Sequence, residues 1–159
     1  MSVQGENQVE VLLVEDSDDD AEMTIDALTE CRLGNRIIRL RDGQAALDYL
    51  LLKDDYSERS TGLPKLVLLD INMPKVDGLE VLRQLRADPS TARLPIVLLT
   101  SSAEERDRHV AYNLHVNSYI VKPVDFNQFV RAVHDVGLYW LVLNRVDDSA
   151  ADEPSEAML

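Results

Sequence analysis

Cysteine occurs once in this chain, as Cys31. A single thiol excludes an internal disulfide and any multi-cysteine zinc site. Histidine is nearly as scarce, and His109, His115 and His134 show no metal-ligand spacing, so imidazole chemistry has no evident seat. No apolar run approaches the roughly 20 residues that a membrane-crossing helix needs. The opening segment MSVQGENQVE lacks both the positive and the apolar region of a secretion signal, so a reducing cytoplasm is the expected location. Basic residues are also few, 16 against 29 acidic ones, for a formal charge of −13. That charge repels phosphate backbones and anionic headgroups, which argues against nucleic-acid and membrane partners.

What is present suits one soluble globular core: 159 residues, 45% hydrophobic and 28% charged. Five short apolar runs stand out, Val9 to Val14, Arg36 to Leu40, Leu66 to Leu69, Ile96 to Leu99, and Val116 to Val121. Three are continuous rather than alternating, as strands buried on both faces require. Helical spacing fills the intervals, near Asp18 to Cys31, Gly43 to Lys53, Ala103 to Asn113, and Phe126 to about Arg145. A further helix is predicted by DGLEVLRQLRAD, where Leu79, Leu82 and Leu85 form a stripe after the Asp77-Gly78 turn and before the Asp88-Pro89 stop. Near the C-terminus Phe126, Phe129, Val130 and Val133 form an expected core stripe.

Strand and helix alternate five times, which predicts an α/β fold: a doubly wound five-stranded parallel sheet with helices on both faces. The polar stretch KDDYSERSTGLP interrupts the alternation and is long for a loop. The domain is expected to span residues 8–145, with 146–159 as a small acidic frayed tail.

Open parallel sheets bind ligands at the carboxyl ends of their strands. There the first strand presents Glu15 and Asp16, the third Asp70, the fourth Thr100 and the fifth Lys122. Taken singly, each has a bland reading. An acid after a strand serves as a helix cap, Asp18 to Asp20 read as charges favoured by the helix dipole, and Ser101 or Ser102 with Glu105 reads as a capping box. Jointly they form a chemical set. Three carboxylates in one cleft need protons or a cation, and oxygen ligands without histidine or thiolate suit Mg2+, with Mn2+ as a substitute. A site so charged is prepared for a phosphoryl group met by the metal, Lys122 and Thr100.

LLVEDSDDD, LLDINMPKVDGLEVL, IVLLTSS and YIVKP, in that order, resemble the receiver domain of two-component response regulators from about Val9 to Leu143. The flavodoxin-like, receiver-type fold follows from that resemblance. So do the roles: Asp70 as phosphoacceptor, and Glu15, Asp16, Asp70 and the main-chain carbonyl of Asn72 as Mg2+ ligands. Thr100 takes the switch hydroxyl, Lys122 the phosphoryl-contacting lysine, and Tyr119 the aromatic switch position. Lys122-Pro123 becomes a candidate cis peptide. The insert DDYSERSTGLP, the segment YNLHVNSYIVKP and an ending near YWL also resemble the stand-alone regulators paired with phytochrome-type sensor histidine kinases.

The expected reaction is transfer of a phosphoryl group from a kinase phosphohistidine to Asp70, then slow hydrolysis. Asn72 and Ser102, two places after Asp70 and Thr100, are candidates for setting the lifetime of the acyl phosphate. The main rival is an aspartate-nucleophile phosphatase, but such enzymes place a second aspartate where this chain has Asn72, which cannot act as a general acid. A regulator serving a kinase without a photoreceptor is the other alternative. The run Leu138, Tyr139, Trp140, Leu141 and Val142 is apolar all round and needs cover, so a homodimer is expected there.

Overall fold

A computed structural model of the chain describes residues 11–30, 36–53, 62–101 and 113–135. Its described elements are β1 (Val11–Val14), α1 (Asp18–Glu30), β2 (Ile37–Leu40), α2 (Gly43–Leu50), β3 (Leu66–Asp70), α3 (Gly78–Ala87), β4 (Ile96–Thr100), β5 (Ser118–Val121) and α4 (Phe126–Asp135), and they follow the expected alternation as far as β4 and again from β5. The five strands are all parallel, in the order β2-β1-β3-β4-β5. This is the doubly wound architecture the alternation predicts. The order reverses beside β1, so the crevice between β1 and β3 is where such a sheet binds ligands.

Every residue of β1, β3 and β4 is buried, whereas β2 is half-buried throughout and β5 buries only Ile120 fully. The difference is positional, since the three continuous apolar runs are the central strands and the others are the edges. The period of two divides the sheet between two cores. Leu12, Val14, Val67, Leu69, Ile96 and Leu98 face α2 and α3, and Val11, Leu13, Leu66, Leu68, Val97 and Leu99 face α1 and α4.

On α4 the predicted stripe needs correction. Phe129 and Ala132 are buried, but Phe126 and Val130 are 40% and 41% exposed. The buried arc is narrower than the apolar arc: Phe129 and Ala132 pack with Ile120 and Val124, while Phe126 and Val130 lie toward solvent. Val9 and Glu10 lie outside the described residues, the predicted strands beginning at Arg36 and Val116 start one and two residues later, and β3 and β4 each run one residue further, to Asp70 and Thr100. Asp70 is thus part of its strand, held by the ladder itself. Cys31, residues 54–61 of the long polar loop, the helix expected over Ala103 to Asn113 apart from its last residue, and everything after Asp135 lie outside the described residues.

Arg86, on the last turn of α3, joins the fold to the entry of β5. Its guanidinium donates to the carbonyls of Leu94 (2.8 Å), Ala92 (3.1 Å), His115 (3.1 Å) and Leu114 (3.2 Å). Nearby, the Asn117 side chain accepts from the Ile96 N–H at 2.8 Å. Planar five-donor geometry is what allows one side chain to collect so many carbonyls. Arg86→Met is expected to cost roughly 2–3 kcal/mol, about one charge-assisted hydrogen bond's worth, because solvent recovers part of the loss at this half-buried site. Urea denaturation checks this, and an unchanged midpoint would show that water replaces the side chain without cost.

Candidate functional site

The turn after β1 is held from several sides. The Glu15 N–H donates to the Leu40 carbonyl at 2.9 Å. Arg39 of β2 returns the contact, donating through Nε (3.0 Å) and Nη2 (2.8 Å) to the Glu15 carbonyl. The same guanidinium pairs with Asp18 at 2.8 Å, as does Arg41 at 2.7 Å. Ser17 then starts α1, its Oγ accepting from the Asp20 N–H at 3.2 Å and its carbonyl from the Ala21 N–H at 2.9 Å. Asp18 therefore does more than complement the helix dipole, because it anchors Arg39 of β2 and Arg41 just beyond it to the turn that carries Glu15 and Asp16.

The turn after β3 is equally constrained. Ile71 and Met73 are buried, and the Gly78 N–H donates to the Ile71 carbonyl at 2.8 Å. Asp77 caps α3 by accepting from the Glu80 N–H at 3.0 Å. Gly78 is needed for closeness rather than for a turn: a Cβ there would lie 2.3 Å from the Asp70 carbonyl oxygen. A Cβ at Gly43 would lie 2.0 Å from the Val76 carbonyl oxygen, so both helix starts press on this segment.

These supports bring Glu15, Asp16 and Asp70 together, one oxygen of each within 4.8 Å of the others. Glu15 and Asp70 are buried and Asp16 is exposed, so the cluster has a dry floor and a wet rim. Lys122 reaches it from β5, its Nζ lying 3.1 Å from Glu15 Oε1, 3.2 Å from Asp70 Oδ1 and 3.1 Å from Asp20 Oδ2. The Lys122-Pro123 peptide is cis, as the resemblance implies. Asp70 Oδ1 also accepts from the Asn72 N–H at 3.2 Å. Its Oδ2 is buried and has no hydrogen-bond partner among the described residues.

An unsatisfied carboxylate oxygen in a buried site calls for a cation. The donors are oxygens only, one member opens to solvent, and the cluster carries more negative charge than one ammonium offsets, so a hard divalent ion such as Mg2+ fits. Thr100 is fully buried on the neighbouring strand, one residue past Leu99, the register partner of Asp70. Its hydroxyl donates to the Ser101 carbonyl at 3.0 Å rather than to the acids. Tyr119 is half-buried and packs against the α2/α3 core. Ser102 and residues 138–142 lie outside the described residues. The sequence reading missed Asp20, Arg39 and Arg41 as members of this neighbourhood. The alternation Arg39-Leu40-Arg41 was the available signal, since two cations spaced by two at the tip of an extended run tend to one side.

Burial, reinforced by the Asp70 charge, pushes Glu15 up to about 7 despite the nearby Lys122. Burial likewise raises Asp70, against the pull of Lys122. For Lys122 burial acts downward, but the Asp70 and Glu15 carboxylates outweigh it and hold the ammonium above the usual lysine range. The sign for metal binding follows: below about pH 7 Glu15 carries a proton that a divalent ion must displace. Mg2+ affinity at about pH 6 is expected to be roughly tenfold weaker than at about pH 8. Folding stability without metal runs the other way. A raised carboxyl favours the folded state fully below its unfolded value of 4.5, and that contribution fades as pH rises to about 7. Calorimetric Mg2+ titrations across this range check the first statement, and a flat profile would refute it.

The family model for the response regulator receiver domain matches residues 11–134. Among curated proteins, the chain is 41% identical over 143 residues to a probable methanogenesis regulatory protein, FilR2, of Methanothrix harundinacea, covering 90% of each chain. It is 37% identical over 131 residues to the response regulator Rcp1 of Synechocystis sp., covering 82% of this chain and 88% of Rcp1. Among solved structures, the bacteriophytochrome response regulator RtBRR superposes with a TM-score of 0.77 at 48% identity, over 84% of this chain and 80% of that one. With its sheet order, its strand-tip acids and these likenesses, the chain belongs to the response regulator receiver domain family.

Proposed function

We propose that this protein is a phosphoacceptor of two-component signalling, with Asp70 as the accepting side chain. The single observation that carries the reading is the free oxygen Oδ2 of Asp70, buried at the tip of a central strand beside Glu15, Asp16 and Lys122. That oxygen attacks phosphorus as the phosphorus–nitrogen bond to a kinase histidine breaks, and the imidazole departs with the bonding pair. Water later attacks the same phosphorus, returning the carboxylate and releasing phosphate. A divalent ion bound by Glu15, Asp16, Asp70 and the Asn72 carbonyl supplies positive charge for the phosphoryl oxygens. Lys122 meets one of these oxygens with its ammonium. Thr100 exchanges its hydrogen bond to Ser101 for one to the phosphoryl group, a charge-assisted bond of about 1.5–3 kcal/mol, enough to bias a two-state segment more than tenfold. Tyr119 follows by turning inward. Asn72 and Ser102, two places after Asp70 and Thr100 in the sequence, set the lifetime of the product.

The likeness to RtBRR, named as a bacteriophytochrome response regulator, supports a phytochrome-type sensor histidine kinase as donor. The protein catalyses its own phosphorylation and dephosphorylation and does not turn over external esters. No described helix is long and apolar enough to cross a membrane, which suits the cytoplasmic kinase domain as partner. The domain extends over residues 8–145 and pairs as a homodimer through Leu138, Tyr139, Trp140, Leu141 and Val142, with 146–159 as a tail.

Incubation with Mg2+ and acetyl phosphate, followed by intact-mass measurement, tests the central reading. One phosphoryl increment on wild type, absent from Asp70→Asn and removed by chelator pretreatment, is expected. Multiple turnovers of a phosphate ester with no adduct would favour a phosphatase and overturn it. Transfer from an autophosphorylated bilin-binding kinase tests the donor, and light scattering tests the dimer.

A further inference from the structure

Two cation seats share one pair of acids. The ammonium of Lys122 has three protons and three carboxylates within 3.2 Å, those of Glu15, Asp20 and Asp70. The acids that converge for a divalent ion are Glu15, Asp16 and Asp70. Glu15 and Asp70 therefore serve both cations. Asp16 belongs to the divalent seat, and Asp20 to the lysine.

We infer that Asp20 is a positioning residue that draws the Lys122 ammonium to one side of the shared acids and so keeps the divalent seat open. This rests on the reading of Glu15, Asp16 and Asp70 as metal ligands. Asp20 stands on the first turn of α1, three residues after the Ser17 cap that fixes the turn's start. Its side chain is 35% exposed, against 0% for Glu15 and 1% for Asp70, so it approaches the ammonium from the solvent edge. Lys122 itself is 18% exposed, with its stem along the protein and its head between the acids. An ammonium and a divalent ion repel, and both seek the same two carboxylates. An acid that touches only the ammonium biases its position without giving up any metal ligand. If Asp20 becomes neutral, the third proton turns to Glu15 or Asp70 and the lysine competes directly with the incoming ion.

The test is a double-mutant cycle read by Mg2+ calorimetry, which needs no phosphoryl donor. Asp20→Asn is expected to weaken Mg2+ binding roughly fivefold, the affinity equivalent of a half-exposed ion pair. Asp20→Glu, which keeps the charge, should recover most of the loss. In a Lys122→Met background, or Lys122→Gln should the first not fold, Asp20→Asn should change affinity less than twofold, because no ammonium is left to place. An equal loss with and without Lys122 would show that Asp20 attracts the ion through its own field and would overturn the inference, as would wild-type affinity in Asp20→Asn. Absence of Mg2+ binding in wild type would instead strike the metal-site reading beneath it.

Discussion

Lys122→Met is expected to destabilise the metal-free protein by roughly 3–5 kcal/mol at neutral pH, the range for removing one partner of a buried ion pair. The lysine is the cation that touches Glu15 and Asp70 in the described site, and those two side chains are 0% and 1% exposed. Methionine keeps much of the volume and the flexible stem, so packing loss contributes little. What remains is an uncompensated pair of carboxylates in a dry floor. Both already sit above their usual range because of burial, and loss of the ammonium raises them further. They then take up protons, so the penalty shrinks at acidic pH and grows as pH rises through neutrality. Mg2+ should restore much of the loss, since the ion supplies the missing charge. Urea midpoints at acidic and mildly alkaline pH, each with and without Mg2+, decide the matter. Wild-type stability in the metal-free variant at neutral pH would mean that water already screens the two acids.

Gly78→Ala should remove roughly 2–3 kcal/mol of stability and weaken divalent-ion binding together, although it adds a single methyl group. The added carbon would lie 2.3 Å from the Asp70 carbonyl oxygen and 2.8 Å from the Ile71 Cα. Both are backbone atoms, so no side-chain rotation relieves the contact. Either α3 backs away from β3 or the strand end moves, and the second response displaces the Asp70 carboxylate from Glu15 and Asp16. Gly62→Ala is the matched control: a Cβ there meets nothing within 4 Å, and the reduced freedom of the unfolded chain makes the change neutral or mildly stabilising. Equal thermal stability of the two variants would show that the segment after β3 yields more readily than its buried Ile71 and Met73 suggest.

Much of the site was legible because its members lie at the ends of apolar runs. A strand buried on both faces, as β3 is, needs an uninterrupted apolar sequence, so the first polar residue marks the strand tip. Asp70 after Leu66 to Leu69 and Thr100 after Ile96 to Leu99 were found this way. The acids of α1 could not be sorted so easily. Asp18, Asp19 and Asp20 are consecutive, and a helix turns each by about 100° from the last. Asp18 meets Arg39 and Arg41, while Asp20 meets Lys122 on the far side of β1. Which acid takes which cation depends on where strands distant in sequence fall, and local pattern carries no such information. The α4 stripe failed for a related reason: Phe126, Phe129 and Val130 are alike in hydrophobicity, yet of the three only Phe129 falls on the side that meets the core.

By itself the sequence determined the alternation of strands and helices, the three central strands, and the residue types at the strand tips, because hydrophobic period and run length are properties of consecutive residues. Only the tertiary structure decided that Lys122 divides its charge among Glu15, Asp20 and Asp70, that Arg39 braces the Glu15 carbonyl, and that Gly78 must lack a side chain. These depend on distances of about 3 Å between groups separated by tens of residues, set by strand register and helix docking. Electrostatic coupling and steric contact act across that space and take no account of chain order.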